Sequence, residues 1–362
     1  MKACVVGGGP AGLYAAKFLV DRGIRTTLYE KEAEIGGLYR YSLLPVSKMA
    51  PFARLLSDPK FDIKLNSPVD TVRLEQLEDG FDVFVIATGA GGPRMPDIFG
   101  AEHCISGLDV IKAFWNGEDA KHRVGKKVLI VGMGNVSMDV VKVVFGWAGR
   151  HSERRIDACI GRNRSVGVGA EHVTIVSRGN AYNGSFSNSE LRSVLEIDDL
   201  KIMCSEGKNS SLGECNGLQS LNIKRVFEWI KCIKAKIFDG TNRKWWERRK
   251  KMLTENRNGS RKLHMRFNTL ITSIAKDDDG YRVVLERDGV GSSEVFDSVV
   301  CCMGFENAQV HKMMNKKPMF RIGWAKHARG NVDAVMRDAL LAVMHIDQMN
   351  MNNQKLKESS TM

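Results

Sequence analysis

No Cys-x-x-Cys occurs anywhere in these 362 residues, although there are eight cysteines. Its absence excludes both a zinc ribbon and a thioredoxin-type redox pair, so no resident metal is expected. Cys4, Cys104, Cys159, Cys204, Cys215, Cys232, Cys301 and Cys302 include several in apolar strand-like runs, which suits small buried thiols in a reducing compartment. Nor does any apolar run approach the roughly 20 residues of a membrane span. Met1-Lys2 leads straight into an apolar strand, so no secretory signal is expected, and no Arg/Ser-rich transit peptide is visible, so targeting stays open. Low-complexity segments are missing too. Acidic residues are in deficit: 42 Asp+Glu face 54 Lys+Arg, a net charge of +12. Such a surface favours an acidic partner, whether nucleic acid, a membrane face or an acidic protein, and charge alone does not choose.

What the chain has is a soluble globular composition, 43% apolar and 27% charged, with length for two or three domains. Residues 2–6 read as an apolar strand, followed by Gly7-Gly8-Gly9-Pro10-Ala11-Gly12. An amphipathic helix then runs to about Val20 and stops near Gly23. A second strand over 26–29 ends on Glu30, which is 18 positions after Gly12. Gly7 permits a tight turn, Gly9 lets backbone approach a pyrophosphate, and Gly12 lets helix pack on strand. Phosphates placed there meet the free N–H groups and positive end of a helix, while Glu30 accepts hydrogen bonds from a ribose diol. The bland alternative is a purely structural glycine turn.

The pattern restarts at Lys126. A strand over 127–131, the turn Gly132-Met133-Gly134-Asn135-Val136-Ser137 and a helix over 138–145 repeat the unit, with Ser137 in place of the third glycine. A strand over 173–176 then ends on Ser177-Arg178, where a 2′-phosphate would lie, which favours NADPH over NADH; the alternative is ordinary surface charge. Strands are also expected over 81–87 and 296–303, the latter ending on Gly304, and a C-terminal helix from about Asp333 to Met349. Residues 204–262 are weakly patterned, with nine basic and two acidic residues between 243 and 262.

Taken in order, Gly7–Gly12, Tyr29-Glu30-Lys31, Gly37-Leu38-Tyr39-Arg40-Tyr41, Gly132–Asp139, Phe186 with Glu190-Leu191-Arg192, Met265-Arg266-Phe267 and Gly323-Trp324-Ala325-Lys326 resemble the adrenodoxin reductases and related glutathione-reductase-like ferredoxin–NADP reductases. The resemblance implies an α/β fold with two Rossmann-like dinucleotide-binding domains: an FAD domain of residues 1–108 and 298–362, and an inserted NADPH domain of 109–297. It also implies roles. Gly7, Gly9, Ala11, Gly12, Glu30 and Leu38 would hold FAD, with Ser67 at its adenosine end. Trp324 would lie over the flavin, unless it is simply core, and the backbone of Asn331, Val332 and Asp333 would face the ring's pyrimidine edge. A helix starting there would aim its positive end at the reduced flavin. Met133, Gly134, Asn135 and Val136 would hold the NADP pyrophosphate, Arg178 the 2′-phosphate, and Glu190 another part of that nucleotide. Asp139 matches an acid at the nicotinamide–flavin junction. Arg192, Lys224 and Arg225 match a surface that docks an acidic 2Fe–2S ferredoxin.

This sequence departs from that family at Arg178-Gly179, where two adjacent arginines are usual, and near Val46-Ser47, where a histidine is usual. The flavin-facing turn reads Asn331-Val332-Asp333, or Gly330-Asn331-Val332 with a one-residue shift, and much of the family's polar insertion is missing. The implied reaction passes a hydride from NADPH to FAD and single electrons to a ferredoxin, for iron–sulfur cluster biogenesis. By resemblance the compartment is a mitochondrion or a mitochondrion-derived organelle, with cytoplasm the alternative. No nucleic acid and no membrane span are expected. Two other functions fit fewer of these residues: a flavin-linked NADPH module with another acceptor, and a non-catalytic nucleotide- or RNA-binding protein using the basic 243–262 segment. Cys301-Cys302 reads as strand packing.

Overall fold

A computed structural model describes residues 1–41, 52–116, 124–146, 169–207, 240–255, 257–308 and 317–359, the side chains of 240–242 and 353–359 excepted. The described residues form two compact units. One comes from Met1 to Pro93 and Gly304–Met362, the other from Arg94–Met303.

In the first unit, β1 (Lys2–Val6), β2 (Arg25–Tyr29), β3 (Phe61–Lys64), β4 (Val83–Ile86) and the late β14 (Met319–Arg321) form one parallel sheet. Their order is β14-β4-β1-β2-β3. The central strands β1 and β4 are apolar on both faces because both faces are covered. On one side α1 (Pro10–Asp21) and the C-terminal helix α8 (Val332–Ser359) pack together through Leu13, Ala16, Leu19, Val335, Ala339, Val343 and Ile346. On the other, Cys4, Val6, Phe84 and Ile86 meet Leu74 of α3 (Thr71–Leu77). The short α2 (Ala53–Leu56) adds Leu55 and its neighbour Phe52 to the α1 side.

The second unit repeats the plan on a larger sheet. Here β5 (Cys104–Ser106), β6 (Lys127–Val131), β7 (His172–Val176), β8 (Leu200–Ser205), β9 (Arg261–Arg266) and β13 (Ser298–Cys301) run parallel in the order β5-β13-β6-β7-β9-β8. Helix α5 (Asn135–Val144) follows β6 and packs between α4 (Gly107–Asn116) and α6 (Asn188–Leu195). A three-stranded antiparallel meander of β10 (Thr269–Asp277), β11 (Gly280–Arg287) and β12 (Val290–Phe296) lays Ile274, Val283, Leu285 and Phe296 against Leu129, Val131, Val176 and Val299.

Three expectations are corrected. Residues 94–108 and 298–303 lie in the second unit, because β5 and β13 are neighbours in its sheet. The 296–303 strand is two pieces, β12 ending at Phe296 and β13 starting at Ser298, which pair with different partners. Within the weakly patterned middle, residues 240–254 form helix α7 (Gly240–Thr254), and β9 starts at the end of that stretch, at Arg261. Lys224, Arg225 and the Val46-Ser47 position lie outside the described residues.

Candidate dinucleotide-binding sites

Each unit carries its glycine loop at the carboxyl end of a central strand, where open α/β sheets bind ligands. Gly7 and Gly132 open the two loops with φ of +105° and +102°, a region that excludes most side chains. A Cβ at Gly7 would overlap the Ala87 carbonyl beyond β4, and one at Gly132 the Cys302 carbonyl beyond β13. The chain thus makes the same close strand crossing twice.

In the first unit the loop runs into the N-terminus of α1, with Pro10 at the start of the helix, where a missing N–H costs nothing. A Cβ at Gly12 would overlap the Gly7 carbonyl, so Gly12 serves the fold itself. Gly9 is different: its φ of −72° and ψ of −178° suit any residue, and nothing lies within 4 Å of where its Cβ would stand. The open space is the cradle a pyrophosphate requires, so the residues present fit the group. Glu30, 6% exposed, accepts from the Gly8 amide at 2.6 Å and the Glu32 amide at 3.0 Å, which fixes the carboxylate beside the loop. The Ser67 amide donates to the Glu30 carbonyl, bringing Ser67 to the same end. From the other flank Gly36 donates to the Gly8 carbonyl, a Cβ at Gly37 would come within 3.1 Å of Gly9 Cα, and Leu38 is left exposed.

The late turn arrives from the chain's far end. Gly323, with φ of +59°, is pressed so closely on Ala11 that a Cβ would come within 2.7 Å of it. Its amide donates to Asp338 at 2.6 Å, and Lys326 reaches the same carboxylate at 3.5 Å. Trp324 is half-buried, donates Nε1–H to the Gly330 carbonyl and tilts against Phe305 with ring centroids 5.3 Å apart. Helix α8 begins one residue earlier than expected, capped by Asn331, whose Oδ1 accepts from the Ala334 amide at 3.0 Å. Asn331 and Asp333 are exposed at that N-terminus, with Val332 between them partly covered.

In the second unit Ser137 takes up the third glycine's position by hydrogen bonding. Its Oγ donates to the Gly132 carbonyl at 2.8 Å and accepts from the Gly134 amide at 3.1 Å, closing the turn into α5. Met133 is buried, Gly134 caps the helix in extended backbone, and Asn135 and Val136 form its first part. Asn135 Oδ1 accepts from the Ser187 amide at 2.8 Å, and Gly134 bridges to Ser185. Arg178 and Arg192 are exposed.

Glu190 and Asp139 share a contact that the sequence reading did not identify. Both carboxylates face Lys142, at 2.8 and 2.6 Å, in a cluster where the lysine is fully buried and neither acid is more than 9% exposed. They join α5 to α6. A lysine within the apolar run Val140-Val141-Lys142-Val143-Val144, with an acid three residues before it, is the signal that could have revealed the pair. Cys302 is also buried, which pushes its thiol up to about 12, while a hydrogen bond with Ser137 pulls the other way. It is therefore packing rather than a nucleophile at neutral pH. Among the described residues there is no group of three or more His, Cys, Asp or Glu that could hold a metal, and no helix long and apolar enough to cross a membrane.

Two parallel sheets with a glycine loop at the same place on each define a two-dinucleotide Rossmann-type protein. Residues 1–196 match the pyridine nucleotide-disulphide oxidoreductase family, and the chain belongs to it. That membership supports FAD and NADP as its cofactors. Among curated relatives, cindoxin reductase of Citrobacter braakii is 26% identical over 208 residues, 54% of this chain and 45% of that protein. The mitochondrial NADPH:adrenodoxin oxidoreductase of Bos taurus is 27% identical over 217 residues, 55% of this chain and 43% of that protein. This chain spans less than half the length of these relatives. Among solved structures, Mycobacterium tuberculosis FprA in complex with NADPH shares the fold with a TM-score of 0.73. It is 19% identical, with 99% of this chain and 86% of that one covered.

Proposed function

We propose that this protein is an FAD-dependent NADPH oxidoreductase that delivers electrons to an acidic 2Fe–2S ferredoxin. The observation that carries the reading is the Gly9 cradle: an open space at a helix N-terminus beside a carboxylate already oriented by backbone N–H groups. A second loop of the same construction supplies the other nucleotide, and no Cys-x-x-Cys is present in this sequence to receive electrons from a flavin. When bound, FAD takes two electrons from NADPH together and releases them one at a time, which suits an iron–sulfur acceptor.

The chain's own residues then bind and orient. Gly7 to Gly12 receive the FAD pyrophosphate at α1, Glu30 its ribose, and Leu38 and Ser67 flank it. Trp324 and the capped N-terminus of α8 face the flavin, where the helix dipole favours negative charge. Met133 to Val136 hold the NADPH pyrophosphate and Arg178 its 2′-phosphate. Asp139 and Glu190 act from behind, through Lys142, by fixing α5 against α6. Arg192, with Lys224 and Arg225, contributes the docking surface. The relative named NADPH:adrenodoxin oxidoreductase supports this acceptor, and the resemblance alone supports a role in iron–sulfur cluster assembly in a mitochondrion or a mitochondrion-derived organelle. The test is ferredoxin-dependent cytochrome reduction with NADPH and with NADH. Turnover that needs the ferredoxin and prefers NADPH supports the assignment; NADPH oxidation that never reaches the ferredoxin overturns it.

A further inference from the structure

Arginine 249 lies in the most basic stretch of the chain, where a solvated side chain is the ordinary expectation, yet it is fully buried. Its Nη1 donates to the carbonyls of Ala181 at 3.3 Å, Tyr182 at 3.4 Å and Gly184 at 2.8 Å, and its Nη2 donates to the Phe186 carbonyl. Nε donates to Asn188 Oδ1 at 3.0 Å. Above and below, the guanidinium stacks on Trp245 at 4.0 Å and Phe186 at 4.2 Å. Among the described residues, all of its hydrogen-bond acceptors are thus uncharged. Burial lowers its pKa to about 10, so the group is still a cation at neutral pH.

Four carbonyls from residues 181–186 converge on this one cation. Oxygens aimed at a common point repel one another, and a chain turns them inward only around a positive centre with enough donors. The guanidinium has five N–H groups in a fixed fork, more than any other side chain. The segment it gathers is the connection from β7 to α6. The same segment carries Ser185, which bridges to Gly134, and Ser187, whose amide donates to Asn135 Oδ1. Gly184 must lack a side chain, because a Cβ would come within 2.6 Å of the Phe186 ring. Arg249 therefore lies behind the loop that braces the second glycine turn.

We propose that Arg249 is a positioning residue for the pyridine nucleotide, holding loop 181–188 in the shape that completes the Gly134–Asn135 site. The inference rests on reading that turn as the NADPH pyrophosphate loop. Without the cation the loop samples open shapes, and apparent affinity falls by the fraction of time it is competent. Chemistry inside the occupied complex is unaffected.

The experiment compares the full-length holoprotein with Arg249→Met and Arg249→Lys by three readouts: NADP⁺ binding, NADPH-dependent reduction of a neutral dye, and amide hydrogen exchange. Arg249→Met should raise the NADP⁺ Kd and the NADPH KM by about tenfold, as expected if the loop is competent about a tenth of the time, with kcat nearly unchanged. Exchange should quicken at residues 182–187 while β6 and β7 stay protected. Arg249→Lys should recover part of the affinity, because an ammonium has three donors. If Arg249→Met is not recovered as folded protein, Asn188→Ala, which removes the Nε acceptor, should shift Kd in the same direction. An unchanged Kd in whichever variant is measured, a kcat that falls in proportion to the affinity, or exchange that quickens throughout the second unit overturns the inference. Wild-type protein that binds no NADP⁺ overturns the nucleotide reading and this inference with it. Wild-type binding with an unaffected variant overturns this inference alone.

Discussion

Single positions separate what the fold needs from what a ligand needs. Gly9 and Gly12 belong to one motif, but a side chain at Gly12 would strike the Gly7 carbonyl, whereas one at Gly9 would stand in open space. Gly9→Val should therefore fold with the stability of the cofactor-free protein and purify largely without FAD, read from bound flavin after gentle purification. Gly12→Val should fail to give soluble protein. Normal flavin content in Gly9→Val would show that the open space is not the pyrophosphate site. Arg178 makes a comparable case in the second unit. A charge-assisted contact is worth about 1.5–3 kcal/mol, so Arg178→Ala should lower the NADPH-over-NADH preference by roughly 10–150-fold. Equal losses with both nucleotides would remove Arg178 from the 2′-phosphate site.

Elements are joined by charges that the composition disguises. Lys142 of α5 is held between Asp139 and Glu190, and removing one member of a buried ion cluster costs about 3–5 kcal/mol. Lys142→Met should lower the denaturant midpoint of the second unit accordingly, whereas neutralising all three groups together should restore much of the loss. His264 ties β9 to its neighbours differently. Its Nδ1 accepts from Arg266 Nε at 3.2 Å, leaving Nε2–H to donate to Ser205 at 3.1 Å. Burial first, and the Arg266 charge second, lower its pKa from 6.5 to about 4. The fold holds the neutral ring while the unfolded chain takes up a proton, so this group's contribution is intact above pH 6.5 and lost as pH falls from 6.5 towards 4. His264→Gln should show a shallower fall in Tm over that window. Identical profiles would contradict the assignment.

These elements also show how far the sequence could be read. Both glycine turns, their strands and Glu30 were legible, because each rests on residues adjacent in sequence whose geometry admits few alternatives. The turn that carries Trp324 was legible, but the approach of its neighbour Gly323 to Ala11 joins positions more than 300 apart, which periodicity does not register. Arg249 was missed because a basic run reads as solvated. Trp245, Arg249 and Leu253, spaced by four, mark the face of α7 that turns inward or stacks on the guanidinium. The boundary at 93/94 was missed because β5 and β13 find their places only through pairing in the second sheet.

On the scale of the whole molecule, a chain of net charge +12 meets its proposed acceptor through long-range attraction. Steering of this kind acts mainly on association and is screened over about 8–10 Å at physiological salt. Ferredoxin-linked turnover should fall as salt rises, and in Arg192→Glu, while NADPH-to-dye transfer changes much less. Parallel losses in both assays would assign that surface to the nucleotide or the fold. The central claim, that the two glycine loops hold FAD and NADPH, is tested most directly by anaerobic titration of the purified protein with NADPH while its visible absorption is followed. The account predicts a yellow protein whose cofactor is released as FAD and whose flavin absorption is lost with about one NADPH per flavin, the two-electron stoichiometry of the couple. A protein that stays colourless after reconstitution with FAD, or a bound flavin that NADPH does not reduce, would contradict it.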